Sequence, residues 1–340
     1  MKRLSFTLLL AAAVLMAAFS GCKESTRSLL PSVSGKAGEI LVIMEKTYWE
    51  DTLGNDVREL LAHDCPWLAQ QEPLYTLVNV LPSGFGDLFK VHRNLMLFVV
   101  GPQVDSAGVI YKHDMWAQPQ CVIQVSAPTQ EQASALLKEK GGMIVSSFEQ
   151  AERDRVIRNT MRYEETSIYN RVAELFGGAP HFPTGYKIRK ASEDFVWIAD
   201  DKDGVYQDVL IYRYPAEEDP FQAPKIVAHR NEVMQANVPG PVAGTYMTTS
   251  EFFPITVEYL KYRGRDLVQT RGMWEVQNDF MGGPFVSHSF YSPDGSEIFV
   301  AEAFVYAPRF DKRQYLRQVE SMLYSWEWAK AAGGQENGEN

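Results

Sequence analysis

The chain has 340 residues and a mass of 38.5 kDa, enough for one large domain or two of ordinary size. Hydrophobic residues make up 45% and charged residues 22%, which excludes a disordered, collagen-like or coiled-coil chain. Lys and Arg number 33 against 43 Asp and Glu, a formal charge of −10 that argues against broad nucleic-acid binding.

The N-terminus reads MKRLSFTLLLAAAVLMAAFSGC. Lys2 and Arg3 precede an apolar run from Leu8 to Phe19, then small Ser20 and Gly21, then Cys22. That order is a secretory signal peptide over residues 1–21. The run is short of the roughly 20 residues a membrane-spanning helix needs. Phe19-Ser20-Gly21-Cys22 resembles a bacterial lipobox, with Phe19 where Leu is commoner, and assigns lipidation to Cys22. The mature chain is then expected to be anchored in the outer membrane through Cys22, the periplasmic face being favoured over the cell surface because Lys23 and Arg27 flank the lone acidic Glu24. Loss of Lys2 and Arg3 takes the formal charge to −12. Residues 22–37 are polar with Ser, Pro and Gly and read as a flexible tether.

Gly38–Met44 is an apolar run suited to a buried strand. Trp49, Leu53, Val57, Leu60 and Leu61 recur at helical spacing, and Pro66 ends that segment. Strands follow at 74–81, 94–100 and 121–126. Thr129 caps a helix with Gln132 three residues on. Gly141-Gly142 is expected to interrupt it before Ile144, Phe148, Ala151 and Ile157 resume the period. A boundary is placed near 162–167, giving an N-terminal α/β domain over 38–162 and a C-terminal α+β domain over 163–330. A chain of this size accommodates one shared core equally well.

The second half opens with a helix through Ile168, Val172, Leu175 and Phe176, closed by Gly177-Gly178. Strands at 195–198 and 205–214 flank Asp203-Gly204, a hairpin signal. A helix at 224–236 intervenes. Four strands at 255–262, 267–276, 285–291 and 297–306, joined by short turns, predict an antiparallel meander. Asp311 is expected to cap a final helix whose stripe runs Tyr315, Leu316, Val319, Met322, Leu323 and Trp326. The fold class is α+β: a mixed α/β layer, then a meander sheet packed with helices. Residues 331–340 are Gly-, Glu- and Asn-rich and read as a disordered tail.

HExxH, GxSxG and GxGxxG are absent, so no cofactor or metal is assigned and no residue is assigned a catalytic role. Asp201-Lys202-Asp203-Gly204 lacks the first and twelfth ligands of a calcium loop. Six scattered histidines share no helix face at i, i+4. Cys65 and Cys121 form either a disulfide or two free thiols. The candidate ligand- or partner-binding surface is the loop 238–249 beside His229 and Arg230, with Tyr246 and Thr248 in it. Trp328 is a further candidate partner contact, because Trp326 and Trp328 cannot share one helix face.

The lipobox, the opening Ser34-Gly35-Lys36-Ala37-Gly38-Glu39, Phe89-Lys90-Val91-His92-Arg93-Asn94, and the loop Val238-Pro239-Gly240-Pro241 to Thr249 together resemble a Bacteroidota lipoprotein family catalogued only as a domain of unknown function. The resemblance implies an envelope location and supplies no activity. The expectation is a non-catalytic cell-envelope lipoprotein that binds a protein partner or a ligand at the membrane, without nucleic acid. The alternative is a periplasmic or surface hydrolase of glycans or peptides.

Overall fold

The computed structural model describes residues 30–202 and 204–329. The expected signal peptide, Cys22, Asp203 and the expected tail over 331–340 lie outside the described residues. In the first half, β1 (Glu39–Ile43), α1 (Lys46–Trp49), α2 (Thr52–Leu61), β2 (Thr76–Val80), α3 (Asp87–Lys90), β3 (Asn94–Val100), β4 (Gly108–His113), β5 (Cys121–Ala127) and α4 (Gln130–Arg162) follow in order. The sheet runs β2-β1-β3-β5-β4, parallel except for the antiparallel edge strand β4. Alternate residues of β1 enter opposite cores, which is why its sequence is apolar throughout: Ile40 and Val42 pack under α2 and α4, while Leu41 and Ile43 face Phe85, Phe89 and Trp116.

Thr129 caps α4 as expected, its hydroxyl accepting from the Gln132 N–H at 3.3 Å. The expected break at Gly141-Gly142 does not occur: α4 is continuous over 33 residues. Two helical glycines cost on the order of 1 kcal/mol each, and packing offsets this at one of them. A Cβ on Gly141 would come within 2.8 Å of Leu60, so the missing side chain lets α2 lie close.

The second half comprises α5 (Thr166–Phe176), β6 (Gly178–Ala179), β7 (Lys187–Ala191), β8 (Phe195–Lys202), β9 (Val205–Pro215), α6 (Ala223–Asn237), β10 (Met247–Thr249), β11 (Thr256–Tyr262), β12 (Arg265–Val276), β13 (Gly282–Tyr291), β14 (Glu297–Tyr306), α7 (Arg313–Leu323) and β15 (Glu327–Trp328). The large sheet is antiparallel in the order β10-β12-β13-β14-β9-β8-β7, with β11 also paired to β12. The meander β11 to β14 is present, and β14 continues into the β8–β9 hairpin through pairs from Glu297↔Pro215 to Tyr306↔Tyr206. One face carries α5 and α7 through Val172, Phe176, Leu316, Val319 and Met322. The other carries α6 through Met234.

Two expectations about the last helix are corrected. Asp311 does not cap it; the backbone N–H groups of Lys312 and Arg313 donate to Glu72 at 2.7 and 2.8 Å. A buried carboxylate from the first half thus satisfies the helix start, a partner that no local spacing reveals. Trp326 and Trp328 are not helical either, since α7 ends at Leu323 and β15 pairs with β6. Residues from Ser32 on cluster as one unit, in which α4 touches β5, α2 and α7.

Candidate functional site

The loop singled out in the sequence is largely built into the fold. Arg230 is 2% exposed and donates to both oxygens of Glu302 at 2.8–3.1 Å and to the Thr249 hydroxyl at 2.9 Å. Its guanidinium lies 4.1 Å over the Phe285 ring. Burial raises the Glu302 carboxyl, and Arg230 opposes that rise. This is an internal clamp holding α6 to the sheet. His229 instead stacks on Tyr214 at 4.2 Å and meets Glu217 at 3.2 Å. Tyr246 and Thr248 are half-buried. Trp328 packs beside Phe290, Phe299 and Trp326.

Cys65 and Cys121 are both free, so the expected alternative of a disulfide is set aside. Cys121 begins β5 inside the first core, and burial pushes its thiol up to about 12; Cys65 is raised to about 11 by the same cause. Neither is poised as a thiolate. Among the described residues no cluster of His, Cys, Asp and Glu gathers in a form that holds a metal ion.

A different constellation stands at the junction of the two halves. Arg155, Arg158 and Arg162 lie at i, i+3 and i+7 on α4, so they share one helix face. Arg93 precedes β3, and α7 brings Gln314 and Arg317 from the other side. Together with Glu152 they line a pocket of about 480 Å³, walled on one side by Val33, Gly35 and Ala37. Five guanidinium groups thus face one carboxylate in an acidic protein.

The floor of the pocket is rigidly built. Glu152, 1% exposed, accepts from Asn94 Nδ2 at 2.7 Å, Arg93 at 2.9 Å and Arg155 at 3.1 Å. Arg155 also donates to the carbonyls of Arg93 and Pro119 at 2.7 and 3.0 Å. Burial lowers the Arg155 guanidinium, while the Glu152 charge beside it pulls the other way. Arg317 donates to Glu149 at 2.9 Å and lies 4.7 Å over Tyr75. Burial alone would lower it, but Glu149, Tyr75 and Glu152 together outweigh burial and raise it. Gly35 holds φ +90°, and a Cβ there would sit 2.1 Å from His92 Nε2, so the entering chain lies directly on that ring. His92 in turn meets Glu39 at 2.9 Å.

Three donors in this wall are left over. Arg93 Nε, Arg317 Nη1 and Gln314 Nε2 are buried without a partner. Each costs about 1–3 kcal/mol unless an acceptor arrives. The arginine spacing on α4 was visible in the sequence, but the opposing Gln314 and Arg317 come from more than 150 residues away.

A second opening, of about 730 Å³, lies at the corner of the large sheet and is lined by Phe221, Tyr259, Tyr291, Asp219, Lys261 and Asp266, among others. Phe221 meets Tyr291 edge-on at 5.3 Å, and Tyr259 is 74% exposed.

Residues 33–161 match the family described as Domain of unknown function (DUF8532), and residues 165–325 match Domain of unknown function (DUF4837). These matches bear out the resemblance to a family catalogued only as a domain of unknown function. No curated protein matches the chain. Similar solved structures include a crystal structure from Bacteroides thetaiotaomicron VPI-5482, at 10% identity over 45% of this chain and 46% of that one, TM-score 0.25. The chain therefore spans less than half the length of that protein. The Ran-binding protein Mog1p of Saccharomyces cerevisiae is similar at 8% identity over 45% of this chain and 90% of that one, TM-score 0.31. A point mutant of protein Mog1 is similar at 8% identity over 46% and 93%, TM-score 0.29. Likeness at this level says nothing of activity or partner.

Proposed function

We propose that the protein is an outer-membrane lipoprotein, anchored through Cys22 with its body on the periplasmic side, that binds an anionic ligand or partner group without transforming it. One observation carries the binding part of this reading: the junction pocket presents five arginines against a single carboxylate, and its wall holds buried donors that lack acceptors. Oriented guanidinium groups on a fixed floor recognise an oxyanion and hold it. The anchor rests on the lipobox alone. A second reading, hydrolysis of a glycan or peptide, draws on the corner groove, where Asp219 and Asp266 share a cavity with four aromatic rings. Against it, Asp266 is 81% exposed and pairs with Lys261 at 3.5 Å, so it stands in solvent and does not close on Asp219 across a sheltered cleft.

The test is to purify the lipoprotein gently from its own envelope and weigh it by native mass spectrometry. The expected result is an acyl adduct that Cys22→Ser removes, together with a bound anionic species that leaves unchanged in mass on incubation. Fragments released from that species would instead support the hydrolase. A wild-type chain without acyl mass would sink the anchor.

A further inference from the structure

We infer that the junction pocket is a site for a phosphoryl group, the oxyanion of a phosphate mono- or diester. The inference rests on the reading that this pocket binds an anion, and it adds which anion. Arg158 and Arg162 are exposed and pair with no carboxylate among the described residues. They stand one turn apart at the C-terminal end of α4, Arg162 being its last residue, and an anion bound between them would relieve their mutual repulsion. From the facing wall, Arg317 is 9% exposed with Nη1 unpartnered, and Gln314 adds a second unpartnered nitrogen.

Arginines thus approach from three elements: the start of β3, the end of α4 and the first turns of α7. A carboxylate offers two oxygens in one plane, whereas a phosphoryl group offers oxygens in tetrahedral directions and carries up to two charges. Several guanidinium forks at different angles match the second. The chain as a whole is acidic, so a local basic concavity selects its anion instead of collecting anions over the surface. Val33 lies in the pocket wall and follows Cys22 by 11 residues. A lipid headgroup and a soluble phosphate ester share the recognised chemistry.

The test uses the full mature chain carrying Cys22→Ser, so that no acyl group carries it to lipid. It is titrated with sodium phosphate, with vesicles of phosphatidylglycerol in phosphatidylcholine, and with citrate as a carboxylate control. The expected result is saturable binding of phosphate or of the vesicles, weakened at least tenfold by R158E combined with R162E. Both side chains are exposed, so the unfolding midpoint of that double variant should not fall. Tighter binding to vesicles than to phosphate assigns a headgroup; the reverse assigns a soluble ester. Binding of citrate alone overturns the phosphoryl assignment and leaves anion binding standing. Failure of all three probes overturns both, and binding that survives the double charge reversal overturns this pocket as the place.

Discussion

Asp208 is fully buried on β9 and accepts from Trp197 Nε1 at 2.7 Å, with its other oxygen unpartnered. Burial pushes its carboxyl up to about 6, against an ordinary value of 3.8. The unfolded carboxyl ionises near 4 and the folded one near 6. Across that window the folded state holds the proton, so stability falls as pH rises, by up to roughly 3 kcal/mol from this group. Asp208→Asn keeps an acceptor for Trp197 and should remove that slope, read as urea midpoints at pH 4.5 and 7.5. The Arg230–Glu302 clamp gives a second expectation. Arg230→Ala leaves Glu302 charged or protonated in the core and should cost about 3–5 kcal/mol. His229→Ala, at a half-exposed neighbour, should cost under about 1 kcal/mol in the same denaturation series. Similar losses for the two would contradict the clamp. Sequence could nominate Arg230 as polar and near a loop, but it could not show that Glu302, 72 residues on, had already claimed it.

The glycine pair in α4 separates local propensity from packing. Gly142 faces open space, and Gly142→Ala should stabilise the protein by about 0.5–1 kcal/mol. Gly141→Ala meets Leu60 at 2.8 Å and should forfeit that gain, a contrast measurable as the sign of the shift in thermal midpoint. The helix start at Glu72 is as specific: Glu72→Ala should cost about 1–2 kcal/mol by stripping the acceptor from two N–H groups of α7. Strands with strong alternation or continuous apolar runs were legible, as were the pairing of β8 with β9 and the hairpin at Arg263-Gly264. The edge strands β4 and β7 were not, because GVIYKH and KIRKA are half-exposed or charged and carry no buried period. The capping partner of α7 was hidden for a different reason, lying 240 residues back.

The two matched families meet between residues 161 and 165, yet the structure binds the two stretches tightly. Glu72 reaches α7, Arg317 reaches Glu149 and the Leu74 carbonyl, and α4 packs on α7. Contacts of that kind cannot be broken in one half without exposing the other. A single cooperative calorimetric transition is expected, and two separated transitions would show that the halves fold independently. Most of the longer elements and the α+β class could be read along the chain. The arginine pocket could not, because it exists only where a helix face, a strand start and a distant final helix converge.

The first described residues add a mechanical consequence. The Ser34 N–H donates to the Val91 carbonyl at 2.8 Å, and the Arg93 N–H donates to the Ser34 carbonyl at 3.0 Å. Val33 and Gly35 on either side form part of the pocket wall. A pull on the chain ahead of Ser32 would meet the Ser32–Gln118 bridge and then these two bonds before either core. Peeling them away strips one side from the arginines while the sheets stay whole, so tension and occupancy at this junction oppose each other.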